Sequence, residues 1–371
     1  MAHALRVVVA PDSFKGAATA DTVAGEIAAG WLSVRPGDEV VLAPMADGGE
    51  GTIGAFARTP GAEQFTTTVR GPDGADVDAR WIVVPEGTAV VELAETSGLG
   101  LLTSPRPFDA HTVGLGEVIV AALEAGASRL LIALGGSGST DGGAGALTAL
   151  GARLLDSRGN AIADGNRGLA DLAEIDLSTL RAAPPGGVVL LADVRSPLLG
   201  DRGAARMFGA QKGATADEIA VLEGNVSHLL DVAARGRPDA IGLASAPGAG
   251  AAGGTGFGLM LWEAEYASGA AMTAEAIGLA DHVRHADLVI TGEGRFDDQT
   301  AEGKVVAEVA RIARSTGTAV ALIAGSIDGS PQGFVDVIEL ATLAGSPSES
   351  IAATPQWART AGGLLAARVT G

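Results

Sequence analysis

The chain has 371 residues, 47% of them hydrophobic, which is enough to bury a sizeable core and rules out disorder or a small stapled scaffold. Cysteine is absent, so disulfides, thiol nucleophiles, cysteine-ligated zinc and iron–sulfur clusters are excluded. With 25 basic against 44 acidic residues, the net charge of −19 disfavours nucleic acid and anionic membranes as partners.

Short apolar runs without polar alternation are separated by helical patterns, the mark of an α/β chain whose strands are buried on both faces. The first run, Arg6–Ala10, follows a stretch too short and too weakly basic for a secretory signal, and a cytoplasmic protein is expected. Val23, Ile27 and Trp31 share one face of a helix predicted over Asp21–Val34, and Glu39–Ala43 reads as the next strand. Trp81–Val84 and Ala89–Leu93 form a meander through Pro85-Glu86-Gly87. A helix over Leu115–Ala125, a strand over Arg129–Leu134, a helix over Gly143–Leu154 and a strand over Val188–Ala192 follow. Thr215 and Glu218 are spaced as a capping box that opens a helix burying Ile219, Leu222, Val226 and Leu229. Ala240–Trp262 is uncharged and long enough to cross a bilayer, but Pro247 and the glycines from Gly248 to Gly258 argue for a loop feeding a helix. The remaining elements are a helix over Ala274–His285, a strand over Leu288–Thr291, a helix over Thr300–Thr316, strands over Ala319–Ala324 and Val335–Ala341, and a helix over Ser350–Arg368 that Pro355 must break or delay.

Two strands near the start and three near the end have short crossovers, while the middle holds the meander and the longest loops. This predicts a sheet domain from residues 1–62 and 285–371, interrupted by a second α/β domain at 63–284, with the active site in the cleft between them. The first two strands leave alike: Ala10-Pro11 and Ala43-Pro44 each precede an acid and a glycine, Asp12 with Gly16 and Asp47 with Gly48. In open parallel sheets the carboxyl ends of strands form the ligand crevice, so both echoes face it.

Of the basic residues only Lys15, Lys212 and Lys304 are lysine, and each adjoins glycine. A compact point charge beside flexible backbone suits a phosphate cradle, although a solvated loop is the commoner fate of any one lysine. Residues 135–143, Gly-Gly-Ser-Gly-Ser-Thr-Asp-Gly-Gly, follow a strand and open a helix, so Gly136, Ser137 and Gly142 are candidates for binding an oxyanion. Gly303-Lys304 is no Walker A sequence. Gly248 to Gly253 satisfies G-x-G-x-x-G and makes Gly250 a candidate for nucleotide contact, yet no clear strand precedes it and no acid follows at the dinucleotide spacing. Acids at strand ends supply the other half of phosphoryl-transfer chemistry: Asp12, Asp47 with Glu50, Asp193, and Glu293 with Asp297 and Asp298. His282 and His285 lack a third metal ligand, and no G-x-S-x-G elbow occurs.

Ala10-Pro11-Asp12-Ser13-Phe14-Lys15-Gly16 and Ala46-Asp47-Gly48-Gly49-Glu50-Gly51-Thr52 resemble the bacterial glycerate kinase type I family. The likeness runs nearly end to end, through Gly135-Gly136-Ser137, Asp141 to Gly145, Phe208-Gly209 with Gln211 to Ala214, Pro247 to Gly254, and Ile290 to Arg295. It departs from the family pattern at Gly138-Ser139-Thr140 and at Arg195-Ser196, which touches acceptor identity more than phosphoryl transfer. The resemblance implies a flavodoxin-like parallel sheet domain interrupted by a second α/β domain, and transfer of the ATP γ-phosphoryl group to D-glycerate, giving 2-phosphoglycerate. The expected cosubstrate is ATP with Mg2+.

On residue type and strand-end placement, Asp47, Lys15 and Asp193 are read as catalytic and Lys212 and Lys304 as phosphate-binding. Ser13 and Arg295 are read as substrate-binding, and Asp193, Glu293 and Asp297 as metal-binding. An oligomer is compatible with the sequence. The rival readings are a kinase for a related hydroxy acid, an NAD-dependent oxidoreductase using Gly248–Gly253, and a non-catalytic nucleotide-binding protein.

Overall fold

The structure, a computed structural model, describes residues 3–297 and 304–369. Asp298 and the start of the predicted helix at Thr300 lie outside the described residues. In chain order the strands are β1 (Arg6–Pro11), β2 (Glu39–Leu42), β3 (Glu63–Arg70), β4 (Asp76–Val84), β5 (Thr88–Glu92), β6 (Arg129–Ala133) and β7 (Arg153–Leu155). They continue with β8 (Glu174–Asp176), β9 (Val188–Leu191), β10 (Glu265–Ala267), β11 (Leu288–Asp297), β12 (Ala319–Asp328) and β13 (Asp336–Glu339). The residues fall into two compact units, one made of Met1–Asp47, Gly54–Thr59 and Ala270–Gly371, the other of Gly48–Ile53 and Pro60–Gly269.

The first unit is a five-stranded sheet in the order β13-β12-β11-β1-β2, parallel throughout. Counted within the unit this is 2-1-3-4-5, the flavodoxin-like doubly wound order, whose switch point lies between β1 and β11. Val7 and Val9 pack with Ile27, Trp31 and Leu365 on one face, while Val8 and Ala10 pack with Leu279, Val309 and Val320 on the other. Burial on both faces is why these strands read as continuous apolar runs.

β11 and β12 pair as far as Asp297↔Asp328, whereas β1 stops at Pro11↔Gly292 and β13 at Ala324↔Glu339. A two-stranded extension, Arg295 to Asp297 beside Ser326 to Asp328, therefore projects past its neighbours at the carboxyl edge. The polar sequence of that extension hid it from the strand prediction. At the other limit, the predicted strand Val335–Ala341 ends at Glu339 and gives way to the helix Leu340–Ala344.

The second unit carries a six-stranded mixed sheet in the order β10-β9-β6-β5-β4-β3, with β3, β4 and β5 antiparallel, and a separate β7–β8 ladder. Helix Ala216–Gly236 opens with the complete Thr215–Glu218 capping box. The helix expected over Gly143–Leu154 stops at Ala149, because Gly151 turns at φ +106° into β7. Gly278 likewise splits the expected Ala274–His285 helix into Gly269–Ala276 and Leu279–Arg284. Pro355 sits in the first turn of Thr354–Arg368, which the break at Ala353 separates from Pro347–Ala352. No helix among the described residues is long and apolar enough to cross a membrane.

Helices Ala20–Val34 and Thr354–Arg368 cross in close contact, and a Cβ on Gly362 would lie 2.2 Å from the Ile27 carbonyl oxygen. Gly362→Ala is expected to lower stability by about 1–3 kcal/mol, the usual range for overpacking, read as a lower urea midpoint at unchanged m-value.

Candidate active site

A pocket of about 400 Å3 opens at the carboxyl edge of the first unit's sheet, beside the β1–β11 switch point. Asp12, Ser13 and Lys15 enter it from the end of β1, Asp47 from the segment after β2, and Glu293, Arg295 and Asp297 from β11. Lys304 joins them at the N-cap of helix Val305–Thr316; its own side chain makes no capping bond, so the positive end of that helix adds to its charge. Seven of the residues assigned a role from sequence thus line one cavity: Ser13, Lys15, Asp47, Glu293, Arg295, Asp297 and Lys304.

Lys15 occupies a tight turn closed by the Ala17 N–H donating to the Phe14 carbonyl at 2.8 Å, with Gly16 supplying the positive φ of +76°. Its ammonium donates to Asp47 Oδ2 at 2.7 Å while the side chain stays 70% exposed. Such a pair adds little stability, but it fixes where the charge points. Arg295 meets Asp328 at 2.8 Å and Lys304 lies 3.9 Å from Asp297.

Asp12, which sequence reading left outside the assigned site, is a strongly perturbed carboxyl. It is 6% exposed and accepts the Ser13 N–H at 2.7 Å. Burial, reinforced by the negative charge of Asp47, pushes it from 3.8 up to about 8, against the pull of Lys15 and the Ser13 amide; Glu293 raises it further. The signal was available in the shared Ala-Pro exit of the first two strands.

The other candidates belong to the second unit, and their bonds differ from the phosphate cradle expected there. Asp141 is fully buried and takes N–H bonds from Thr112, Gly143 and Gly145 at 2.9–3.2 Å, with the Thr112 hydroxyl at 2.8 Å. The anion at this helix start is thus the protein's own carboxylate. The Gly142 amide is spent on the Gly253 carbonyl at 3.1 Å, and the Ser137 hydroxyl lies 3.1 Å from that of Ser139. Gly136 adopts φ +76° and its carbonyl accepts the Leu99 N–H at 2.8 Å. Lys212, read as phosphate-binding, is 2% exposed and donates to the Ser139 carbonyl at 2.5 Å; burial drives its ammonium down to about 7 against the pull of Asp141. It braces two loops from inside, an arrangement that lysine spacing cannot reveal.

Gly250 is required by packing, since a Cβ there would sit 2.2 Å from the Pro197 carbonyl oxygen. Asp193 accepts the Ser268 hydroxyl and the Gly269 N–H, both at 3.1 Å. His285 Nδ1 lies 2.9 Å from the Asp281 carbonyl, and no group of three or more His, Asp or Glu among the described residues is spaced to hold a metal by itself.

A doubly wound α/β unit with Lys15, Arg295 and Lys304 facing Asp12, Asp47, Glu293 and Asp297 has the chemistry of a phosphotransferase acting on small anions. The Glycerate kinase family matches residues 7–369, so the chain belongs to that family of kinases. Glycerate 2-kinase of Escherichia coli strain K12 is 43% identical over 329 residues, 87% of this chain and 86% of that protein. Glycerate kinase of Bacillus subtilis strain 168 is 44% identical over 330 residues, 87% and 85% of the two chains. A crystal structure from Salmonella typhimurium LT2, assigned there as a glycerate kinase 2, superposes with a TM-score of 0.81 at 36% identity and covers 98% of both chains.

The raised pKa of Asp12 sets a pH dependence. The folded state holds this proton more tightly than the unfolded chain, so the contribution to stability is fully present below 3.8 and is lost as pH rises to about 8. Asp12→Asn is expected to flatten that part of the curve of unfolding free energy against pH, measured by urea titration from pH 4 to 9.

Proposed function

We propose that this protein transfers the γ-phosphoryl group of ATP to the 2-hydroxyl of D-glycerate, giving 2-phosphoglycerate. The observation that carries the reading is the gathering of three cations and four carboxylates in one pocket at the sheet's switch point, in a chain of the glycerate kinase family.

Phosphoryl transfer asks the protein for positioning and charge neutralisation more than for covalent chemistry. Lys15 and Lys304 neutralise phosphate oxygens, and Arg295 offers a planar fork to a carboxylate or a phosphate. Asp47 holds the Lys15 ammonium in place. Asp12 lines the same pocket, and its ionised form, populated as pH approaches about 8, accepts the proton of the acceptor hydroxyl as its oxygen bonds to the γ-phosphorus and the bond to the β-phosphate oxygen breaks. Glu293, 7% exposed, helps keep the proton affinity of Asp12 high. Ser13 donates or accepts a hydrogen bond to the hydroxy acid.

The donor set also fits a nucleotide-borne Mg2+, which takes one or two carboxylates and completes its shell with phosphate oxygens and water. Asp297, with 27% of its side chain exposed and Lys304 beside it, is the hard oxygen donor assigned to it. When bound, the ion spreads the charge of the β- and γ-phosphates.

Phosphorus NMR of a reaction with ATP and D-glycerate is expected to give 2-phosphoglycerate, with ADP release dependent on the acceptor. Release without acceptor, or 3-phosphoglycerate as the product, overturns the reading. Lys15→Met is expected to cut kcat/KM by roughly 10²–10³ with the thermal unfolding profile unchanged, in line with the loss of one charge-stabilising donor.

A further inference from the structure

The pocket has a second wall of different character, formed by the C-terminal helices of the first unit. Pro347, Ser350 and Ile351 lie at i, i+3 and i+4 along helix Pro347–Ala352, and Thr354 follows at i+7 as the next helix begins. Ile351 is 60% exposed, an aliphatic side chain left to water at the rim of a charged cavity. The Thr354 hydroxyl is spent on the Ser350 carbonyl at 2.7 Å, so the wall offers little free polarity. None of these residues has a role in the transfer described above.

The cavity of about 400 Å3 is in the range of pockets for nucleotide-sized ligands and exceeds what a three-carbon acid fills. Its charge is divided: the ammonium and guanidinium groups come from the β1 turn, β11 and the start of Val305–Thr316, and the apolar surface from the 347–354 stretch. That division matches a molecule with a polyanionic tail and a flat, weakly polar head. Resting on the kinase reading, we infer that the Pro347–Ile351 face is the shelf for the adenine base of ATP, with the triphosphate directed to Lys15, Arg295 and Lys304.

The test compares two probes by isothermal titration calorimetry in the presence of Mg2+: AMP-PNP, which has the base, and inorganic tripolyphosphate, which lacks it. The wild type is expected to bind AMP-PNP about tenfold or more tightly than tripolyphosphate. Ile351→Asn, a neutral change at an exposed position, is expected to shrink that preference to about twofold while leaving tripolyphosphate affinity in place. Val335→Asn, at a 66% exposed site outside the pocket lining, serves as the control and keeps the wild-type preference. An unchanged preference in Ile351→Asn overturns the inference, and so does a parallel loss of tripolyphosphate binding, which makes the wall structural. If the wild type turns over D-glycerate yet binds both probes equally, the shelf alone fails. If acceptor-dependent ADP release is absent as well, the underlying kinase reading fails with it.

Discussion

The pairing of β1 with β11 is the contact on which the site rests. It joins segments 281 positions apart, seen in the Thr291 hydroxyl donating to the Ala10 carbonyl at 3.0 Å, and it sets Pro11 against Gly292. The side chains that follow each strand, Asp12 and Glu293, are thereby delivered to one cavity. Because β1 lies between β2 and β11 with crossovers departing on either side, the register of one strand pair decides which residues face the ligand.

Crowded carboxylates follow from this geometry, and the protein meets their repulsion in two ways. Asp47 is matched by the Lys15 ammonium, while Asp12, nearly out of contact with water, keeps its proton up to about pH 8. In a molecule of net charge −19, cations at this edge convert a repulsive surface into one that admits anions locally. The second unit handles charge differently. There the Asp141 carboxylate is saturated by amides of its own chain, and Lys212 is enclosed beside it.

Legibility in the sequence tracked burial. Arg6–Pro11, Arg129–Ala133 and Val188–Leu191 could be read because both faces of each strand meet core, leaving unbroken apolar runs. β3 could not: Glu-Gln-Phe-Thr-Thr-Thr-Val-Arg is a sheet-edge strand, mostly exposed, with only Phe65 and Val69 as apolar anchors. The site divided the same way. Strand-end acids and glycine-flanked lysines pointed to the pocket for Lys15, Asp47, Glu293 and Lys304. The same rule could not show that Lys212 is enclosed, since no local pattern reveals that Ser139 will present a carbonyl to it. The break that Pro355 implied falls at Ala353, but the short helix Pro347–Ala352 that precedes it, with its pocket-lining residues, began before the predicted start at Ser350.

The chain passes between the two units four times, at residues 47/48, 53/54, 59/60 and 269/270. During ribosomal synthesis β1 and β2 therefore emerge long before β11, their partner at the centre of the sheet. The apolar run Val7 to Ala10 must wait, one edge unpaired, while the whole of the second unit is made. In a chain of this topology the central strand β1 gains its β11 partner only after the second unit has been made, so that edge stays open to wrong pairing until then.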